Sequence, residues 1–173
     1  MAESIPDRLS WAAEVIAPGP ADRILEIGCG HGILLSLLAD RLISGTITAI
    51  DRSDKMVAAA TKRNDAHIAS GKAAIRQAEL ATADFRGRLF DKIVAVRVNV
   101  FWMEPARELA AVRRLLEPSG IFYLFFDPPS PAQAEPIAAK LTANLEDNGF
   151  RVIRKAFTVI GAGKGVCVVS APS

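Results

Sequence analysis

A chain of 173 residues is long enough to bury a core and falls within the size of one domain. Its 50% apolar and 23% charged residues exclude a disordered chain, and 21 basic against 19 acidic residues, spread along it for a net charge of +2, leave no footprint for nucleic acid or an anionic membrane. Two cysteines form neither a disulfide framework nor a metal set, no run approaches the roughly 18 apolar residues of a membrane span, and the first residues lack a signal-peptide core, so a cytoplasmic protein is expected.

In chain order the pattern predicts a helix over Asp7 to Ala17, a buried strand over Arg23 to Ile27 and a helix over Ile33 to Leu42. A strand over Thr46 to Ile50, an alanine-rich helix over Ser53 to Ser70 and a strand over Ala73 to Gln77 follow. Phe90 to Val98 reads as a fourth strand, Pro105 to Leu116 as a helix and Gly120 to Phe126 as a fifth strand. Such alternation implies a parallel sheet covered by helices on both faces. After a helix near Pro131 to Asn148 the rhythm changes: Phe150 to Thr158 and Val166 to Ser170 are joined by Ile160-Gly-Ala-Gly-Lys-Gly165, too short for a crossover helix, so a hairpin is expected. With no repeat and no linker, residues 1–173 read as one domain, of which 1–20 form an N-terminal helix and candidate lid.

The chemistry concentrates at the join between the first strand and the next helix. Gly28, Gly30 and Gly32 remove side chains where the backbone turns sharply and where a ligand must approach it, while the helix beyond offers unpaired N–H groups. Asp51 ends the following strand, 19 residues past Gly32, where a carboxylate can grip ribose hydroxyls. The spacing is Gly-x-Gly-x-Gly, with Ile33 in the place of the last glycine of the dinucleotide fingerprint and Glu26 two residues before the first glycine, and both features argue against NAD.

Leu25-Glu-Ile-Gly-Cys-Gly-His-Gly32 resembles the Glu/Asp-x-Gly-x-Gly-x-Gly motif of the class I S-adenosylmethionine-dependent methyltransferases. Phe90-Asp-Lys-Ile-Val resembles that family's fourth-strand signature, and Leu115-Leu-Glu-Pro-Ser-Gly-Ile-Phe122 its turn into the fifth strand, with Ser119 replacing a glycine. The resemblance runs from about Asp22 to the end. It implies a three-layer Rossmann-like α/β fold with a seven-stranded, mostly parallel sheet of order 3-2-1-4-5-7-6 whose strand 7 is antiparallel, and S-adenosyl-L-methionine as cofactor. Carried over by position, Glu26, Gly28, Cys29, Gly30 and Gly32 make the turn of the cofactor site, Asp51 takes the ribose, and Arg52 and Met56 flank the adenine. Glu79, where the family usually has Asp, takes the adenine amino group with Leu80 beside it, and Arg97 lies near the methionine end.

Methyl transfer from a sulfonium needs alignment more than a dedicated acid or base, so the catalytic residue stays open. His31 in the turn and Asp127 after the fifth strand are candidates, and each also reads as a helix-start or turn residue. Trp11, Asn99, Trp102 and Asp127 are candidates for the acceptor pocket, Trp11 and Trp102 reading equally as core anchors. A small-molecule acceptor is expected, with no nucleic-acid, membrane or metal partner, and a monomer or a homodimer. An NAD-dependent oxidoreductase and a nonenzymatic cofactor-binding or scaffold module are the competing readings.

Overall fold

The computed structural model describes residues 5–173. Its elements are α1 (Asp7–Ile16), β1 (Arg23–Ile27), α2 (Ile33–Ala39), β2 (Thr46–Asp51), α3 (Asp54–Arg63), α4 (Asp65–Ala69), β3 (Ala73–Gln77), β4 (Phe90–Val96), α5 (Val100–Met103), α6 (Ala106–Leu115), β5 (Leu116–Phe126), α7 (Ala134–Asp147), β6 (Phe150–Ile160) and β7 (Gly163–Pro172). One 3-10 turn, Pro131–Gln133, leads into α7. The sheet order is β3-β2-β1-β4-β5-β7-β6, with β7 antiparallel to both neighbours.

Period-2 geometry sorts each strand onto two cores. Leu25, Ile27, Ile93, Ala95, Phe122, Leu124, Val166 and Val168 face the core that Leu109 and Val112 of α6 and Leu141 and Leu145 of α7 complete. Ile24, Val94, Tyr123, Phe125, Cys167 and Val169 face the other way, onto Ala12 and Ile16 of α1 and Leu34, Leu35 and Leu38 of α2. Glu26 has the parity of Ile24 and is therefore buried on the α1 and α2 side, only 3% exposed.

Four elements differ from the sequence reading. The helix expected over Ser53 to Ser70 is broken at Asn64, whose backbone (φ −110°, ψ 24°) leaves the helix. Its side chain explains the break: Nδ2 donates to the Gly32 carbonyl at 3.0 Å and to the Ala60 carbonyl at 2.9 Å, and Oδ1 accepts from Ser36 Oγ at 2.6 Å. A four-residue helix, α5, occupies a stretch read as loop. β5 begins at Leu116, ahead of the expected turn: Leu116 pairs with Phe90 and Ile121 with Lys92, so Glu117-Pro-Ser-Gly120 bulges opposite Asp91 within the strand. A Cβ on Gly120 would lie 2.9 Å from the Glu117 carbonyl and 3.0 Å from that of Phe90, so the backbones approach closely there. The hairpin turn is tighter than the sequence suggested, since Ile160 pairs directly with Gly163, and Gly161 takes a φ of +56° between them.

Candidate functional site

Parallel strands β1, β2 and β4 all end on one side of the sheet, and the loops that leave them line two adjoining cavities. The larger, about 380 Å³, is lined by Ile50, Asp51 and Arg52 from the end of β2, by Ala78, Glu79 and Leu80 after β3, and by Val98, Asn99, Val100, Phe101 and Glu108 beyond β4. The smaller, about 140 Å³, lies under α1 and is lined by Arg8, Leu9, Glu26, Cys29, His31, Ile33 and Leu34. Gly28, Val96 and Arg97 line both, so the glycine turn and the end of β4 stand where the cavities meet.

The turn has its shape because its residues are glycine. Gly28, Gly30 and Gly32 sit at φ +73°, +51° and +74°, in the left-handed region that side-chain-bearing residues avoid. Gly28 and Gly32 also have no room: a Cβ on Gly28 would lie 2.8 Å from Val98 Cγ2, and one on Gly32 would lie 2.7 Å from Asn64 Nδ2 and 3.0 Å from Ala60 Cα. Backbone N–H groups of Gly28 and Cys29 donate to the Ile50 carbonyl at 2.8 and 3.1 Å, tying the turn to β2.

Asp51 extends that tie. Its Oδ2 accepts from Gly30 N–H and its Oδ1 from Ser53 N–H, each at 2.9 Å. Each oxygen keeps a second lone pair for a ligand hydroxyl. Ser53 then caps α3, its Oγ accepting from Met56 N–H at 3.3 Å. The carboxylate expected to take the ribose thus also holds the turn, which the sequence alone could not reveal.

Glu26 is the unsatisfied group of the site. Its Oε2 is buried without a hydrogen-bond partner among the described residues. Burial, reinforced by the Asp51 charge, pushes its carboxyl up to about 8. A buried polar atom left without a partner beside a cavity is what a cationic ligand group would complete. Burial also drives the neighbouring Cys29 thiol up to about 12, which removes it as a nucleophile.

Arg97 closes the space between the cavities. It adopts φ +59°, an uncommon conformation for a residue with a side chain, and its N–H donates to the Phe125 carbonyl at 2.8 Å. Its Nε lies 3.2 Å from Asp127 Oδ1, an ion pair whose geometry falls short of a hydrogen bond. With 55% of the Arg97 side chain exposed, the pair contributes little to stability.

The structure brings Glu26, Gly28, Cys29, Asp51, Arg52, Glu79, Leu80, Arg97, Asn99 and His31 onto the cavity walls. It leaves Gly30, Gly32, Met56, Trp11, Trp102 and Asp127 off them. Met56 lies in the first turn of α3. Trp11 packs edge-on against Phe125 with ring centroids 5.4 Å apart, because α1 is held by its apolar face. Trp102 packs on the α6 and α7 core beneath the Lys140 ammonium, 5.1 Å from its ring centroid. Asp127 reaches the site only through Arg97. Arg8, Val98, Phe101 and Glu108 are among the wall residues that the sequence reading did not name; their packing places them there. The part of the candidate lid formed by residues 1–4 lies outside the described residues.

A model of the methyltransferase domain matches residues 25–124, more than half of the chain. The chain belongs to the class I S-adenosylmethionine-dependent methyltransferases. The uncharacterized methyltransferase YdaC of Bacillus subtilis is 22% identical over 164 residues, covering 92% of this chain and 88% of YdaC. The ubiquinone biosynthesis O-methyltransferase of Thiobacillus denitrificans is 33% identical over 125 residues, covering 70% of this chain but 50% of that enzyme. Among solved structures, the glycopeptide N-methyltransferase MtfA complexed with sinefungin superposes with a TM-score of 0.80 at 17% identity, covering 100% of this chain and 98% of that one. That likeness carries the fold of this methyltransferase, including the reversed β7. The residues present fit the family's cofactor: a turn of three left-handed glycines, a carboxylate with free lone pairs, and a buried oxygen without a partner among the described residues.

Proposed function

We propose that this methyltransferase binds S-adenosylmethionine across the two cavities and methylates a small organic acceptor presented at the mouth of the smaller one. The observation that carries the reading is the junction at Gly28 and Arg97, where a nucleoside-sized cavity ending on Asp51 meets an amino-acid-sized one ending on the orphaned Glu26 oxygen. Asp51 takes the ribose hydroxyls, Arg52, Glu79 and Leu80 line the base, and Gly28, Cys29, Gly30 and Gly32 let the chain pass close beneath. Glu26 takes the cationic amino group, and Arg97 stands beside the methionine end.

Once bound, the cofactor supplies a methyl group already activated by its sulfonium. The protein's part is then to align the acceptor and keep water out. Arg97, held by Asp127, orients groups at the junction. A proton lost by a hydroxyl acceptor passes to His31, which lines the smaller cavity. Relatives named for ubiquinone and nocamycin O-methylation support a small acceptor. Two buried, unpaired cysteines support a cytoplasmic protein, and the continuous sheet supports one domain acting as a monomer or homodimer.

Calorimetric titration with S-adenosylhomocysteine and with NAD tests the cofactor: binding of the first alone is expected, and binding of NAD alone would overturn the reading. Incubation with labelled S-adenosylmethionine and a panel of phenols, amines and carboxylic acids then tests the acceptor class. Label transferred only to protein or nucleic acid would refute a small acceptor.

A further inference from the structure

The glycine turn is gripped from two directions. From β2, Asp51 Oδ2 accepts from Gly30 N–H at 2.9 Å. From the break between α3 and α4, where no residue lines either cavity, Asn64 Nδ2 donates to the Gly32 carbonyl and Arg63 Nε to the His31 carbonyl, each at 3.0 Å. Asn64 is 1% exposed and both ends of its amide are engaged: Nδ2 also donates to the Ala60 carbonyl at 2.9 Å, and Oδ1 accepts from Ser36 Oγ at 2.6 Å. A local helix end needs only the Ala60 bond. The other two reach 32 and 28 residues back along the chain, and the fit is mutual, since a Cβ on Gly32 would lie 2.7 Å from Asn64 Nδ2.

We propose that Asn64 is a positioning residue for the cofactor, holding the Gly32 peptide so that the turn keeps the shape the cofactor needs. The assignment rests on the cofactor reading above and adds to it a residue outside both cavities. Three glycines at positive φ have little conformational preference of their own, because glycine populates both signs of φ about equally. Their shape has to be imposed by neighbours. Asp51 fixes one peptide group through its N–H and Asn64 another through its carbonyl, so both are oriented before the cofactor arrives and binding carries a smaller ordering cost. Without the amide, the Gly32 carbonyl keeps only the Ser36 N–H and hydroxyl, each at 3.2 Å and both within α2, and the turn loses its link to α3.

The test sets Asn64→Leu, Asn64→Asp and Ser36→Ala beside Val168→Ala, a core truncation in β7, three strands from β1. Each variant is measured by urea unfolding, by calorimetry with S-adenosylhomocysteine, and by iodoacetamide labelling of Cys29 read by peptide mass spectrometry. Asn64→Leu and Asn64→Asp, neither of which can donate an amide hydrogen to Gly32, should bind about tenfold more weakly, and Ser36→Ala about threefold. Cys29, buried in the wild type, should become alkylated in Asn64→Leu and be protected again by S-adenosylhomocysteine. Val168→Ala should lose stability yet keep both the affinity and the protected thiol. Wild-type affinity in a folded Asn64 variant, or an equal loss of affinity in Val168→Ala at matched stability, overturns the assignment. If neither Asn64 variant folds, unchanged affinity in Ser36→Ala overturns it. A wild type that binds no S-adenosylhomocysteine sinks the cofactor reading instead, and Cys29 labelling then still reports whether Asn64 holds the turn.

Discussion

The two walls of the cleft are built by different means. The glycine-turn wall is set by backbone: left-handed φ values at Gly28, Gly30 and Gly32, N–H groups of Gly28, Cys29 and Gly30 donating to Ile50 and Asp51, and Asn64 bracing the Gly32 carbonyl from behind. The facing wall, from Arg97 to Glu108, is set by side chains on a four-residue helix and one turn of α6, with Asn99 Oδ1 and Trp102 Nε1 a long 3.4 Å apart. Backbone geometry suits the parts of a cofactor that never vary, whereas side-chain packing suits the parts a protein must choose between. Substitutions should therefore be more damaging on the first wall than on the second.

Gly32→Val is expected to do most harm. It combines a left-handed backbone with a Cβ 3.0 Å from Ala60 Cα, so urea unfolding should show a loss of roughly 2–5 kcal/mol and S-adenosylhomocysteine binding should vanish. A stable, binding-competent variant would show that the wall is not backbone-determined.

Asp51→Ala comes next. It removes the proposed ribose acceptor together with the partner of Gly30 and Ser53 N–H, so affinity should fall about a hundredfold or more while stability drops by about 1 kcal/mol. Calorimetry and thermal melting separate the two effects, and retained affinity would refute the site.

Glu26 makes the same wall sensitive to pH. Its carboxyl ionises near 4.5 when unfolded and near 8 when buried, so the folded state holds the extra proton between those values. The stability it contributes is present below pH 4.5 and is lost as pH rises to about 8. An ammonium placed beside it favours the ionised form, so S-adenosylhomocysteine should bind more tightly as pH climbs from 6 to 8 and release a proton on binding. Calorimetry in buffers of different ionisation enthalpy reads that proton, and Glu26→Gln should abolish both effects.

On the facing wall Arg97→Gly should be milder. Relief of the left-handed backbone, worth about 1 kcal/mol, offsets loss of a largely exposed ion pair, so the unfolding midpoint should barely move while cofactor affinity falls about tenfold. The smallest effect is expected at Cys29: with its thiol raised to about 12, iodoacetamide at pH 8 should leave it unmodified in the native protein. Rapid alkylation would show that the turn opens.

The contrast also explains what could be read in advance. Strands β1 to β4 and the reversed hairpin were legible because apolar runs and a short glycine link express backbone periodicity directly. Asn64 was hidden in an alanine-rich helical run, since its reason for breaking the helix lies 32 residues away at Gly32. Trp11 and Trp102 read as pocket aromatics or as core anchors, and their rings pack on Phe125 and beneath Lys140. Composition cannot say which way an aromatic faces.

By itself the sequence determined the family and the sheet order that family implies, and it singled out the glycine turn and Asp51 as the candidate cofactor site. Those depend on local backbone requirements and on spacing along one chain. The tertiary structure alone decided that Asp51 also braces the turn, that Glu26 is left with an unpaired oxygen, and that Arg8, Val98 and Glu108 reach the cavities. Each of these depends on segments far apart in sequence meeting in space, and on how much water that meeting excludes.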